Sequence, residues 1–136
     1  LMGHLFKREF CILSNMVSES PDIPILDHEL STLGIEHGEL GAWLLEKWNI
    51  PDEIIVAARQ HHHENYDGPH AVYPRLVLLA DRMLKSLGVG DASSNELPAH
   101  LLESLGLKEI QTVMVMGRIL EGLEGLNVMA RTLAAA

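Results

Sequence analysis

Imidazoles are the groups in this sequence best suited to chemistry. There are eight histidines in 136 residues, and His61, His62 and His63 stand in a row. His37 opens a helical stretch, and Gly41 follows one turn later on the same side, where a missing side chain would let another backbone or a ligand come close. Asp81 is the companion carboxylate, since at helical spacing it shares a face with Val77 and Leu84 and not with Arg82 and Lys85. A carboxylate aimed toward a core is costly unless it is paired, hydrogen-bonded or bound to metal. Imidazoles with a carboxylate suit zinc, iron or manganese, which makes His37, His61, His62, His63 and Asp81 the candidate metal ligands. The plainer alternative uses the same residues: Asp81 accepting hydrogen bonds from a histidine or a backbone amide, and the His61 to His63 run as a solvated helix end.

The elements that must position these groups are all helical. Leu5, Ile12, Leu13 and Met16 give residues 1–17 helical spacing, and the polar, proline-containing stretch from Ser18 to Pro24 breaks it. A second helix is expected from Ile25 to Leu33, ended by Gly34. The third begins near Glu36, with Leu40, Leu44 and Trp48 on one face and Trp43 and Leu45 broadening the stripe. Asn49-Ile50-Pro51 stops it, and Pro51, Asp52 and Glu53 are well placed to open a fourth helix that ends in the histidine triplet. Whether His37 and the triplet meet at one end depends on how that connection bends, which helical geometry alone leaves open. Asp67-Gly68-Pro69 is a turn signal. A fifth helix is expected from Pro74 to Leu87, with Leu76, Leu79, Ala80, Met83 and Leu87 inward and Arg75, Arg82 and Lys85 toward solvent. Gly88 and Gly90 end it. A polar loop then leads to a short helix, Pro98 to Leu105, and after Gly106 a last one reaches about Leu133. No segment alternates as a strand does, so the expected fold is an all-α bundle of six or seven helices forming a single unit.

Composition narrows the function. Apolar residues make up 47% and aromatics 4%, which leaves Leu, Ile, Val, Ala and Met to build the core. With 19 acidic and 10 basic residues the formal charge is -9, and no Lys/Arg cluster relieves it, so nucleic acid is excluded as a primary partner. Cys11, among Phe10, Ile12 and Leu13, reads as a small core residue, and one cysteine fits a reducing cytoplasm. No apolar run approaches the ~20 residues a membrane span needs. The methionines of the last helix, Met114, Met116 and Met129, read as core before they read as an interface.

Certain segments, taken in combination, resemble HDOD domains: Gly34 to Pro51, reading Gly-Ile-Glu-His-Gly-Glu-Leu-Gly-Ala-Trp-Leu-Leu-Glu-Lys-Trp-Asn-Ile-Pro, the His61 to His63 cluster, and Leu79-Ala80-Asp81-Arg82. The resemblance runs over about residues 25–125. It implies a helical bundle related to the HD phosphohydrolases, which include the HD-GYP enzymes that hydrolyse cyclic di-GMP. His62-His63-Glu64-Asn65-Tyr66-Asp67-Gly68 is similar to the HD-GYP pattern His-His-Glu-x-x-Asp-Gly, although the Gly-Tyr-Pro that follows is degraded to a displaced Tyr73-Pro74. Counting from Pro51 assigns the histidine pair to His61-His62, whereas counting back from Asp67-Gly68 assigns it to His62-His63. HD enzymes take an adjacent His-Asp dyad as metal ligands. Here His4 is followed by Leu5, and the first aspartate in the chain is Asp22.

What the resemblance implies is a non-catalytic bacterial signalling module that acts through signalling proteins, through linked receiver or cyclic-nucleotide turnover domains, or through a second copy of itself. It needs no cofactor beyond at most one divalent ion, Mn, Fe, Zn or Ni. The alternative is a metal-dependent phosphohydrolase, an HD-GYP-like cyclic dinucleotide phosphodiesterase with an atypical ligand set. A third reading is a helical scaffold with incidental histidines. The abrupt apolar opening, Leu1 to Phe6, reads as the C-terminal portion of a longer HDOD domain.

Overall fold

The computed structural model describes Gly3 and residues 6–20 and 22–134, with side chains described as far as residue 123. Among the described residues there are seven helices and no strand, and the chain divides into two compact units, Leu1–Leu97 and Pro98–Ala136. No helix among them is long and apolar enough to cross a membrane.

Proline, glycine and one asparagine set the boundaries in the first unit. Helix α1 spans Lys7–Glu19 and α2 spans Ile25–Leu33. Pro24 stands just before α2, and Gly34, left-handed at φ 71°, closes it. Helix α3 spans His37–Lys47 and α4 spans Asp52–Gln60. Between them Asn49 takes φ 52°, a conformation asparagine tolerates better than most residues. Pro51 then sets the start of α4, and Asp52 and Glu53 lie in its first turn, where the helix dipole favours acids. Helix α5 spans Val72–Lys85, after which Gly88 and Gly90 adopt positive φ. In the second unit Gly106, at φ 65°, separates α6, Ala99–Ser104, from α7, Glu109–Ala134.

Packing in the first unit joins α3 to α4, α4 to α5 and α1 to α2. Gly38, not Gly41, is the glycine of close approach. A Cβ on Gly38 would lie 2.8 Å from the Ala58 carbonyl oxygen, whereas nothing lies within 4 Å of one on Gly41. The start of α3 therefore rests on the backbone at the end of α4, and the connection bends as an antiparallel hairpin requires. Leu13, Ala42, Ile55, Leu78 and Leu79 form the buried core of this unit.

Several inward assignments fail. On α3 the buried residues are Gly38 and Ala42, while Trp43 and Trp48 are 50% and 63% exposed. The small residues face the neighbouring helix because that helix comes so close. On α5 the buried stripe is Pro74, Leu78, Leu79 and Arg82, whereas Leu76, Val77 and Ala80 are exposed. Arg82 lies inside with its aliphatic stem covered. Cys11 is exposed and not a core residue. Met114 is exposed as well, while Leu5 and the side chain of Met129 lie outside the described residues.

Candidate functional site

Three imidazoles meet where the α3 start reaches the α4 end. His37 is the first residue of α3, and His61 and His62 follow directly after α4. The Nε2 atom of His37 lies 3.1 Å from Nε2 of His61 and 3.2 Å from Nε2 of His62. The backs of two of these rings are pinned. His37 Nδ1–H donates to the Glu29 carboxylate at 2.9 Å, and the His37 backbone N–H donates to the same carboxylate at 2.8 Å. His61 Nδ1–H donates to the Ala58 carbonyl at 2.8 Å. Both partners are pure acceptors when the carboxylate is ionised, so Nδ1 of His37 and of His61 carries a proton, and each Nε2 is a lone pair only while its ring is neutral.

A carboxylate from a different segment completes the cluster. Asp91 Oδ2 lies 3.5 Å from both His37 Nε2 and His62 Nε2. Asp91 is held in turn by Asp81, whose Oδ1 accepts the Asp91 backbone N–H at 3.1 Å. Gly90 makes that contact feasible, because a Cβ there would fall 2.0 Å from Asp81 Oδ1. The other Asp81 oxygen, Oδ2, is buried and has no hydrogen-bond partner among the described residues. A cavity of about 310 Å³ lies alongside, with Val17, Ile23, Pro24, Ile25, Lys85 and Asp91 among its walls.

The charges at the site are tuned in opposite directions. The hydrogen bond that His37 donates to Glu29 raises His37 above its ordinary 6.5, against the opposing effect of burial. Burial, together with the neighbouring His62, lowers His61. The His62 imidazole beside it holds Asp91 far below the usual carboxylate range. Desolvation, reinforced by the negative charge of Asp91, pushes the Asp81 carboxyl up. Three imidazoles and a firmly ionised carboxylate form a set that can share a proton or grip one cation.

Of the sequence-derived candidates, His37, His61 and His62 come together. His63 stands apart, 48% exposed, with Glu36 at 3.9 Å as its nearest acid. Asp81 lies behind the cluster as a support for Asp91, although it also falls with His62 and Asp91 in a second group whose ligand atoms lie within 4.8 Å of one another. Sequence reasoning missed Glu29 and Asp91. Glu29 looks like one more acid on a short helix, yet it is almost completely buried. Asp91 lies in a polar loop, and its only sequence signal is the pair of glycines, Gly88 and Gly90, just before it.

Residues 1–64 match the family described as the HDOD domain. The match starts earlier than the expected 25–125 and ends just past the histidine triplet. A crystal structure from Marinobacter aquaeolei VT8, of a protein assigned to signal transduction, superposes with a TM-score of 0.84 at 28% identity, over 95% of this chain and 28% of that one. An uncharacterized protein of Treponema pallidum (strain Nichols) is 26% identical over 117 residues, which are 83% of this chain and 22% of that protein. The chain thus spans less than a third of the length of either relative.

Proposed function

We infer that this chain, with its HDOD match over residues 1–64, works as a signalling module through contacts with linked domains or partner proteins, and not by hydrolysis. Its likeness to the signal transduction protein of Marinobacter aquaeolei supports the signalling role. An apolar strip of α5, Val72, Tyr73, Leu76 and Val77, stays exposed, and surface of that kind supports action by contact. One exposed cysteine is in keeping with a reducing cytoplasm.

The observation that carries the non-catalytic reading is the missing dyad, since His4 is followed by Leu5 and not by an aspartate. In HD enzymes the aspartate of that dyad bridges two ions, and here the first aspartate in the chain is Asp22. The position after His37 offers no substitute acid, because a side chain at Gly38 would meet the Ala58 carbonyl at 2.8 Å and the Arg59 carbonyl at 3.2 Å. Without the bridging acid the two-ion clamp on a phosphate is incomplete.

The phosphohydrolase reading draws support from the second ligand group, His62 with Asp81 and Asp91. Against it, Asp81 spends Oδ1 on the Asp91 amide and keeps Oδ2 buried, which leaves little room for the open coordination position that catalysis requires. The deciding experiment assays the purified chain with Mn²⁺, Fe²⁺, Ni²⁺ and Zn²⁺ against cyclic di-GMP and bis(4-nitrophenyl) phosphate. No turnover above the metal-only rate is expected. Turnover that disappears in His37→Ala would establish a hydrolase instead.

A further inference from the structure

We propose that α7 pairs lengthwise with α7 of a second copy of this chain, along an apolar face that begins at Thr112 and runs to Leu133. The first support is the heptad pattern. Thr112, Met116, Ile119 and Leu123 recur at spacings of four, three and four within α7, and Leu126, Ala130 and Leu133 continue the same register in the sequence. That is the spacing at which helices pack against one another along their length. The rows on either side are uncharged as well, with Val113, Leu120 and Asn127 on one side and Val115, Gly122 and Met129 on the other.

The second support is where the charges fall. After Glu109 the charged residues of α7 are Arg118, Glu121, Glu124 and Arg131, and all of them occupy the heptad rows opposite that face. A chain with a formal charge of -9 repels a copy of itself over most of its surface, so a continuous uncharged face is where a copy can approach. Charges in the flanking rows are what select one helical partner over another. Here those rows hold none, so nothing recruits a charged foreign helix and nothing repels an identical one.

The third support is exposure and size. Val113, Val115, Leu120 and Leu123 are all exposed. Helix α6, at six residues and about 9 Å, is too short to cover a helix of 26 residues and about 39 Å. Gly122 has open space around its Cβ position, which lets a second helix come close. Gly117, Gly122 and Gly125 weaken α7 in isolation, and such a helix draws its stability from packing. At about 60 to 120 Å² for each large apolar side chain, the nine Leu, Ile, Val and Met residues of these rows offer on the order of 800 Å² per copy, the size of a standard interface.

The pairing deepens the contact reading by naming a surface and a partner, and the two fail separately. Turnover of a phosphodiester would overturn the non-catalytic reading and leave the pair standing, whereas a monomer overturns the pair alone. The test is sedimentation velocity of the purified chain across the micromolar range, with helical content followed by circular dichroism. The expected result is a monomer–dimer equilibrium. Leu123→Glu should weaken association by at least about 100-fold, since it brings two carboxylates into an apolar interface. Glu121→Lys, on the opposite face, should associate within about fivefold of the unaltered chain, the range of an exposed charge. A monomer at every concentration, or a dimer that Leu123→Glu leaves intact, would overturn the proposal. If Leu123→Glu loses its helical content, Leu120→Glu takes its place at an exposed position of the same face, and a dimer as tight as the unaltered one refutes the pairing.

Discussion

Gly90→Ala probes the contact that seats Asp91, and its cost can be worked out from two observations. Gly90 has φ 88°, where a side chain costs about 1 to 2 kcal/mol of backbone strain. The new Cβ would also lie 2.0 Å from Asp81 Oδ1, which no rotation of the methyl relieves. The Asp81 carboxyl must move, and its bond from the Asp91 amide goes with it. An amide left unsatisfied in a part-buried place costs about 1 to 3 kcal/mol. The total is about 2 to 5 kcal/mol. Gly88→Ala is the internal control, since Gly88 has φ 72° but open space around its Cβ position, so only the 1 to 2 kcal/mol of strain applies. The assay is urea and thermal unfolding followed by circular dichroism, where 1 kcal/mol moves the midpoint of a unit this size by about 4 to 8 °C. In the double variant Gly90→Ala/Asp81→Ala the clash is gone, so the two losses should add to less than their sum. Equal destabilisation by Gly88→Ala and Gly90→Ala, with strict additivity in the double variant, would refute the idea that the loop rests on Asp81.

Three further outcomes follow from the same geometry. Arg82 is 8% exposed and its guanidinium donates to the Glu64 carboxylate, so Glu64→Gln should cost about 2 to 4 kcal/mol in urea unfolding, short of the full cost of stranding a buried charge because Glu64 keeps part of its carboxylate in water. The paired change Glu64→Gln/Arg82→Met should recover most of that loss. His37 takes up its proton more readily folded than unfolded, chiefly through Glu29, so this stability is fully present below 6.5 and fades as pH rises through the folded value. In metal-free protein the loss on Glu29→Gln should therefore be larger at pH 5.5 than at pH 8.5, as read from urea midpoints, and a loss that grows with pH would contradict the assignment. Trp48, at 63% exposed, should tolerate Trp48→Lys within about 0.5 kcal/mol, and a core-sized loss in the same assay would return it to the interior.

Helix boundaries were legible in the sequence because they are written in residues whose backbone restrictions are local. Gly34 and Pro51 stop or start helices wherever they stand, and both expected boundaries fall within a residue or two of the observed ones. Helix phase was not legible to the same degree. An apolar count on α5 turns the stripe so that Leu76 and Ala80 face inward, yet the observed stripe runs through Pro74, Leu78 and Arg82. The difference is decided by a partner in another segment, Glu64, which makes it favourable to bury a guanidinium. The tryptophans of α3 mislead in the same way. Close packing at Gly38 leaves room for Ala42 but not for Trp43 on that face.

Half of the cluster was legible for a related reason. Histidines in a row beside a glycine-rich helix start are conspicuous, whereas the acids that orient them look like any others in a chain with 19. Glu29 is distinguished only by burial, and burial follows from how α2 sits relative to the start of α3. Its carboxylate accepts both the backbone and ring N–H groups of His37, so it completes the open first turn of α3 and fixes a tautomer at once. A mutation that removes Glu29 must then disturb fold and site together, whereas one at Asp91 disturbs the site through a loop that the helices do not need. The helical frame was foreseeable because local rules build it. The chemistry was half hidden, because the groups that orient it enter from segments joined to it only by the tertiary fold.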